Sequence, residues 1–284
     1  MFWLLLTFAS AFSYSLTRIL QKILLKDKDS DPFAFGFVFQ IAVSIIFLVY
    51  TIITKQLEFP NLSGLAINIL ILCLFYSIGN ILTFKAFKLA EVSEVSVLFA
   101  SSTVWSVIAA VIMLGEKLTP KNILGIIIVV LGLIAINIKK SCWKINKGHL
   151  YALLGAMLFG VAFTNDAYIV GRYNSVSAYM MLAFALPAFT SILLKPQSVK
   201  NIPQFVSKNA IPRLFFCAIF YFLSALTIFS AYKLGGPASV ISPIQQTSII
   251  FTVIMGYLFL KERDRMPNKI IGTILAFVGV LLLI

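Results

Sequence analysis

Two stretches 145 residues apart, FYSIGNILTFKAFKLAEVSEV at 75–95 and FYFLSALTIFSAYKLGGPASV at 220–240, repeat one another. Phe75 meets Phe220, Tyr76 meets Tyr221, Phe84 meets Phe229, Ala86 meets Ala231, Lys88 meets Lys233, Leu89 meets Leu234 and Val95 meets Val240, seven identities in 21 positions. Apolar helices match easily by chance, so the downstream residues carry more weight. Glu116, Gly125 and Gly132 align with Glu262, Gly272 and Gly279 after one or two single-residue slips. Both glycine pairs are seven residues apart, which puts each pair on one helix face and allows a neighbouring backbone to approach closely.

Outward from this repeat, the chain is apolar throughout. Of its 284 residues 60% are hydrophobic and 12% charged, where a soluble domain carries about 25% charged residues. A lipid bilayer can solvate that much apolar surface, and a helix needs about 20 apolar residues to cross its hydrocarbon core. Cut at charges and turn residues, the apolar runs give ten spans, at 2–22, 32–54, 63–86, 92–114, 120–138, 148–170, 175–195, 211–233, 237–260 and 267–284. The first is read as a span and not a cleaved leader, because no basic residues precede it. Asp31-Pro32 opens the second span, Thr119-Pro120 sets a capping hydroxyl before a first-turn proline, and Gly235-Gly236-Pro237 separates the eighth from the ninth.

Basic residues give the orientation. The odd-numbered connections and adjoining helix ends carry 18 of the 23 Lys and Arg residues. Cytoplasmic loops collect Lys and Arg, so the odd connections belong in the cytoplasm and both termini outside. The predicted fold is an all-α membrane protein of ten transmembrane helices in two five-helix repeats, 1–138 and 148–284, joined by a basic cytoplasmic linker at 139–147. Five spans per copy make the second copy enter the membrane from the opposite side. Inverted repeats of this kind are a plan of secondary transporters, whose substrate sits between the halves near the midplane.

Ten spans in two halves, with Gly115-Glu116-Lys117-Leu118-Thr119-Pro120 followed by Gly125 and Gly132, resemble the EamA family of the drug/metabolite transporter superfamily over essentially the whole chain. The second copy departs at Leu260-Lys261-Glu262-Arg263, where the glycine before the glutamate is lost. The resemblance implies secondary transport across a bacterial cytoplasmic (inner) membrane, often export of amino acids, other metabolites or toxic compounds. It implies no particular substrate, because the shared motif is architectural.

Among the ten acidic residues, nine fall in connections or at helix ends, and Asp166 alone lies well inside a span. A charge at membrane depth costs about 3 kcal/mol or more and is expected to face protein or water. Asp166 is therefore the candidate for proton coupling or substrate contact; the alternative is an acid paired structurally near the outer end of its span. Arg18, near the equivalent place in the first span, is expected to snorkel to the cytoplasmic interface rather than meet a substrate carboxylate. In the ninth span, Pro243 beside Gln245 and Gln246 marks a helix break whose amides line a cavity or bond a neighbouring helix. Tyr76 and Tyr221, the repeat-related tyrosines, and Asn80 complete the expected substrate-binding set of Tyr76, Asn80, Asp166, Tyr221, Gln245 and Gln246. Few intramembrane charges argue against highly charged substrates such as nucleotide sugars.

Other classes recede. The net charge of +13 sits in loops and not on a soluble face, which speaks against nucleic acid. Cys73, Cys142 and Cys217 form no CxxC, so neither a disulfide framework nor a metal site is implied. No HExxH, GxSxG or Walker A sequence occurs, His149 at the central linker reads as too exposed for catalysis, and Glu116 and Glu262 read as structural. No enzyme, cofactor or ATP-driven pump is expected. The partners are a small-molecule substrate, the lipid bilayer and protons, in a monomer or homodimer. An uncoupled facilitator and, behind it, a non-transporting membrane scaffold remain as alternatives.

Overall fold

In the computed structural model, residues 2–27, 29–58, 64–114, 119–137, 146–170, 175–234, 244–263 and 266–282 are described. They fold into helices α1 (Phe2–Leu24), α2 (Pro32–Ile53), α3 (Ala66–Leu89), α4 (Val92–Phe99), α5 (Ser101–Leu114), α6 (Pro120–Asn137), α7 (Lys147–Val170) and α8 (Val176–Leu194). A 3-10 segment (Pro196–Gln204) leads to α9 (Ile211–Lys233), α10 (Ser248–Phe259) and α11 (Met266–Leu282). Gly115 to Leu118, most of the central linker, Arg172, Gly235 to Pro237, Ser242 and Pro243 lie outside the described residues.

The expected start signals hold where they are described. Asp31 caps α2 by accepting the Phe33 N–H at 3.0 Å, with Pro32 in the first turn, where its missing N–H costs nothing. Helix α6 begins at Pro120.

Seven segments among the described residues are long and apolar enough to cross a membrane. Ile123–Gly132, Ser248–Phe259 and Met266–Gly279 are shorter apolar helices. Large side chains such as Ile53, Ile112, Leu193 and Phe259 stand exposed, as lipid-facing residues do. The fourth expected span, 92–114, is not one helix. Ala100 divides it into α4 and α5, and the backbone tightens there to bonds three residues apart, Ala100 N–H to Val97 O and Thr103 N–H to Ala100 O. Ser101 adds to the break by donating to Leu98 O at 2.8 Å. The same tightening, Thr247 N–H to Ile244 O and Ile249 N–H to Gln246 O, stands at the start of α10, 147 and 146 residues on. Of the ninth expected span, 237–260, residues 237–243 lie outside the described residues, and the helix described in the remainder is α10.

The main helix pairings are α1 with α9, α3 with α7, α2 with α8, α6 with α11, α5 with α7 and α1 with α10. Exchanging each helix for its repeat counterpart turns α1–α9 into α7–α3 and α5–α7 into α10–α1, and maps α2–α8 and α6–α11 onto themselves. The crossing points obey the same exchange. Ser10 on α1 donates to Ser224 O on α9 at 2.7 Å, and their equivalents 145 residues away are Gly155 and Gly79 on α7 and α3. A Cβ on Gly155 would stand 3.2 Å from Gly79 O. Ser15 on α1 reaches Ser248 O at 2.8 Å, and its equivalent on α7 is Gly160, packed against Ser102, Trp105 and Ser106. A Cβ on Gly132 would stand 2.9 Å from Gly272 O, so the close approach that the glycine spacing allows is made between α6 and α11.

Candidate functional site

Three consecutive polar residues of α7 point at three neighbours. Thr164 shares a 3.0 Å hydroxyl bond with Ser106 on α5. Asn165, fully buried, accepts from Asn68 Nδ2 on α3 at 2.6 Å and returns a bond to Asn68 O at 3.0 Å. Asp166 is 6% exposed and has one phenol on each oxygen: Tyr76 of α3 donates to Oδ2, and Tyr179 of α8 donates to Oδ1 at 2.5 Å. Hydrogen bonds to a charged group contribute about 1.5–3 kcal/mol each, against the cost of holding a carboxylate away from water. The site therefore joins α7, α3 and α8 at one carboxyl group.

Arg18 does not snorkel. It is 4% exposed, donates from Nη2 to Tyr14 Oη at 3.1 Å, and its guanidinium carbon lies 4.6 Å from the ring centroids of Tyr14 and of Phe99. The snorkelling expectation fails because α9, α10 and the α4–α5 break surround this turn of α1, and two aromatic faces offset part of the lost hydration, about 0.5–2 kcal/mol each. Nor is Arg18 the repeat equivalent of Asp166: at the 145-residue offset that residue is Gln21, which is also buried.

The other expected residues separate. Tyr221 packs its ring 5.9 Å from Tyr14, beside the Arg18 group, and 5.3 Å from both Phe39 and Phe184. Rings connect the two groups: Tyr76 to Phe159 at 5.4 Å and Phe159 to Phe99 at 5.1 Å. Gln246 donates to Thr103 Oγ1 on α5 at 2.7 Å, the helix–helix bond that was the alternative to cavity lining. Gln245 is half-buried, with its side-chain oxygen enclosed and unbonded. Asn80 is half-buried on α3 and hydrogen-bonds to none of these residues. Two recesses occur elsewhere. One of about 280 Å³ between α5, α6 and α7 is lined by Val104, Trp105 and Met157. The other, about 160 Å³, is lined by Asp27, Ser30, Gln204 and Arg213 at the end of α1.

A second polar group gathers where α3 meets α4. Glu262, from the α10–α11 turn, caps α4 by accepting from Val92 N–H at 2.7 Å, Ser93 N–H at 3.1 Å and Ser93 Oγ at 2.6 Å. This bears out its structural reading. Lys22 of α1 donates to Phe87 O and to Ala90 O at the end of α3, and Lys269 of α11 pairs with Glu91. His149 is not exposed as expected: it is 2% exposed, with Nε2 3.1 Å from Glu94 Oε2. Its place beside the linker hid this, because its partner Glu94 lies 55 positions upstream. Tyr179 also went unread, since nothing separates it in sequence from any span tyrosine. Among the described residues, no three His, Cys, Asp or Glu side chains are grouped to hold a metal ion.

The sequence profile of the EamA-like transporter family matches residues 1–138 and again 146–284. No curated protein matches the chain. Solved structures do, in 26 chains. One crystal structure, 15% identical, covers 98% of this chain and 94% of its own with a TM-score of 0.59, which is a likeness of fold.

Proposed function

Because the chain belongs to the EamA-like transporter family, within the drug/metabolite transporter superfamily, we propose that it exports a small metabolite or drug-like solute across a bacterial cytoplasmic membrane by proton-coupled alternating access. The two halves are inverted five-span repeats with both termini outside. The self-mapping helix pairings and the twofold family match support this arrangement. Of the expected set, Tyr76, Asn80, Asp166, Tyr221 and Gln245 face the path of the solute, while Gln246 ties its segment to α5 through Thr103.

The observation that carries the reading is the Asp166 carboxyl group with a phenol on each oxygen. An ionised carboxylate only accepts, so it holds Tyr76 and Tyr179 together. A protonated one gains an O–H donor and gives up acceptor strength on that oxygen, so the bond to the phenol there weakens or reverses direction. Proton binding is thereby converted into a change in how α7 meets α3 or α8, which is what coupling requires. A facilitator is the second reading, favoured by the same fact: with both oxygens bonded to protein, Asp166 is also suited to a fixed joint.

Flux in proteoliposomes separates them. With an imposed pH gradient, the protein drives uphill movement of its solute, and Asp166→Asn abolishes the gradient dependence while leaving downhill exchange. A wild-type flux indifferent to gradients of either sign rejects proton coupling. Full gradient-driven accumulation by Asp166→Asn makes the carboxyl group a joint.

A further inference from the structure

Arg18 is a buried cation with one hydrogen-bond partner among the described residues, Tyr14. A guanidinium has five N–H donors in a planar fork. One goes to Tyr14 Oη, and among the described residues the ion pairs are His149–Glu94, Lys195–Asp31 and Lys269–Glu91, none of which involves Arg18. A charge inside a membrane bundle normally pairs with an opposite charge or marks the path of a solute. Here the neighbours are rings instead of carboxylates. Tyr14 and Phe99 lie against the guanidinium, Tyr221 stands behind Tyr14, and Phe159 and Tyr76 continue from Phe99 toward Asp166.

That combination defines a ligand. Two parallel N–H donors fit the two oxygens of a carboxylate, and the aromatic surround suits an apolar body attached to it. The nearest other cation on α1, Lys22, is engaged with Phe87 O and Ala90 O, so a single positive charge is presented. One cation favours a monoanion over a phosphate ester, which would want several. We propose that Arg18 is an anion receptor inside the bundle that takes the carboxylate of a solute with an aromatic or aliphatic body. This rests on the transport reading and narrows its substrate class.

Isosteric acid and amide pairs test it, phenylacetate against phenylacetamide and hexanoate against hexanamide, titrated calorimetrically into the full chain in nanodiscs. The wild-type protein binds at least one acid about tenfold more tightly than its amide, the discrimination expected of a charge-assisted pair. Arg18→Gln erases that preference. Arg18→Lys keeps the charge without the fork and retains part of it, and melting curves confirm that both variants fold. Equal binding of acid and amide by the wild-type protein, no binding of either acid, or an unchanged preference in Arg18→Gln overturns the proposal. The two readings fail separately. Export of a solute by cells without acid binding in nanodiscs sinks the receptor and leaves the transporter. Arg18-dependent acid binding without flux of any solute does the reverse.

Discussion

Where α1 crosses α9, two serines meet; where α7 crosses α3, the equivalent residues are two glycines. Ser10 bonds to Ser224 at the first crossing, and Gly155 presses on Gly79 and Thr83 at the second. One turn on, Ser15 bonds to Ser248 O, while Gly160 lies on the backbone of α5. The same layout is thus built with spacers that bond at one crossing and with bare backbone at the other. The contrast extends to a buried charged residue on each helix, Asp166 on α7 and Arg18 on α1. The close approach of α7 to α3 brings Asp166 within reach of Tyr76, and Tyr179 of α8 bonds its other oxygen. Helix α1, held at hydroxyl distance, leaves Arg18 with one hydrogen-bond partner.

The comparison breaks first at Gly160. A Cβ there would lie 2.6 Å from Trp105 Cβ and 2.9 Å from Ser106 N, neither of which can swing away. Gly160→Ala is expected to cost about 3 kcal/mol in denaturant unfolding in micelles, the upper range for overpacking. Gly155→Ala comes next at about 2 kcal/mol, because the nearest atom, Thr83 Oγ1 at 2.9 Å, belongs to a side chain that can rotate. Ser15→Ala costs about 1 kcal/mol and Ser10→Ala about 0.6 kcal/mol, the range of single interhelical hydrogen bonds in membranes. If the serine variants cost as much as the glycine ones, the two crossings are not built differently. Gly155→Ser sharpens the point: it should be worse than Gly155→Ala despite supplying the hydroxyl that its repeat counterpart uses.

Much of this was legible in the sequence for a physical reason: spans, caps and small-residue faces are local. Apolar length located most of the described helices, Asp31-Pro32 and Pro120 marked starts, and the glycine spacing marked a face for close approach, though not which helix would meet it. Asp166 stood out because an acid inside an apolar run is costly wherever that run packs. What stayed hidden depended on distant partners. His149 is buried by Glu94, Lys22 serves the end of α3, and Tyr179 meets Asp166 only through packing of α8 against its neighbours. Arg18 was misread because snorkelling is a property of lipid-facing arginines, and the surroundings of that turn of α1 are set by the other half of the chain.

The most direct test of the transport account compares extracellular metabolites of bacteria expressing the intact chain, its Asp166→Asn variant, or neither, at matched membrane levels. The account predicts that one class of compound rises outside with the intact chain and markedly less with Asp166→Asn. Equal accumulation with both chains would contradict the coupling role of Asp166, and a profile indistinguishable from cells lacking the protein would contradict export itself.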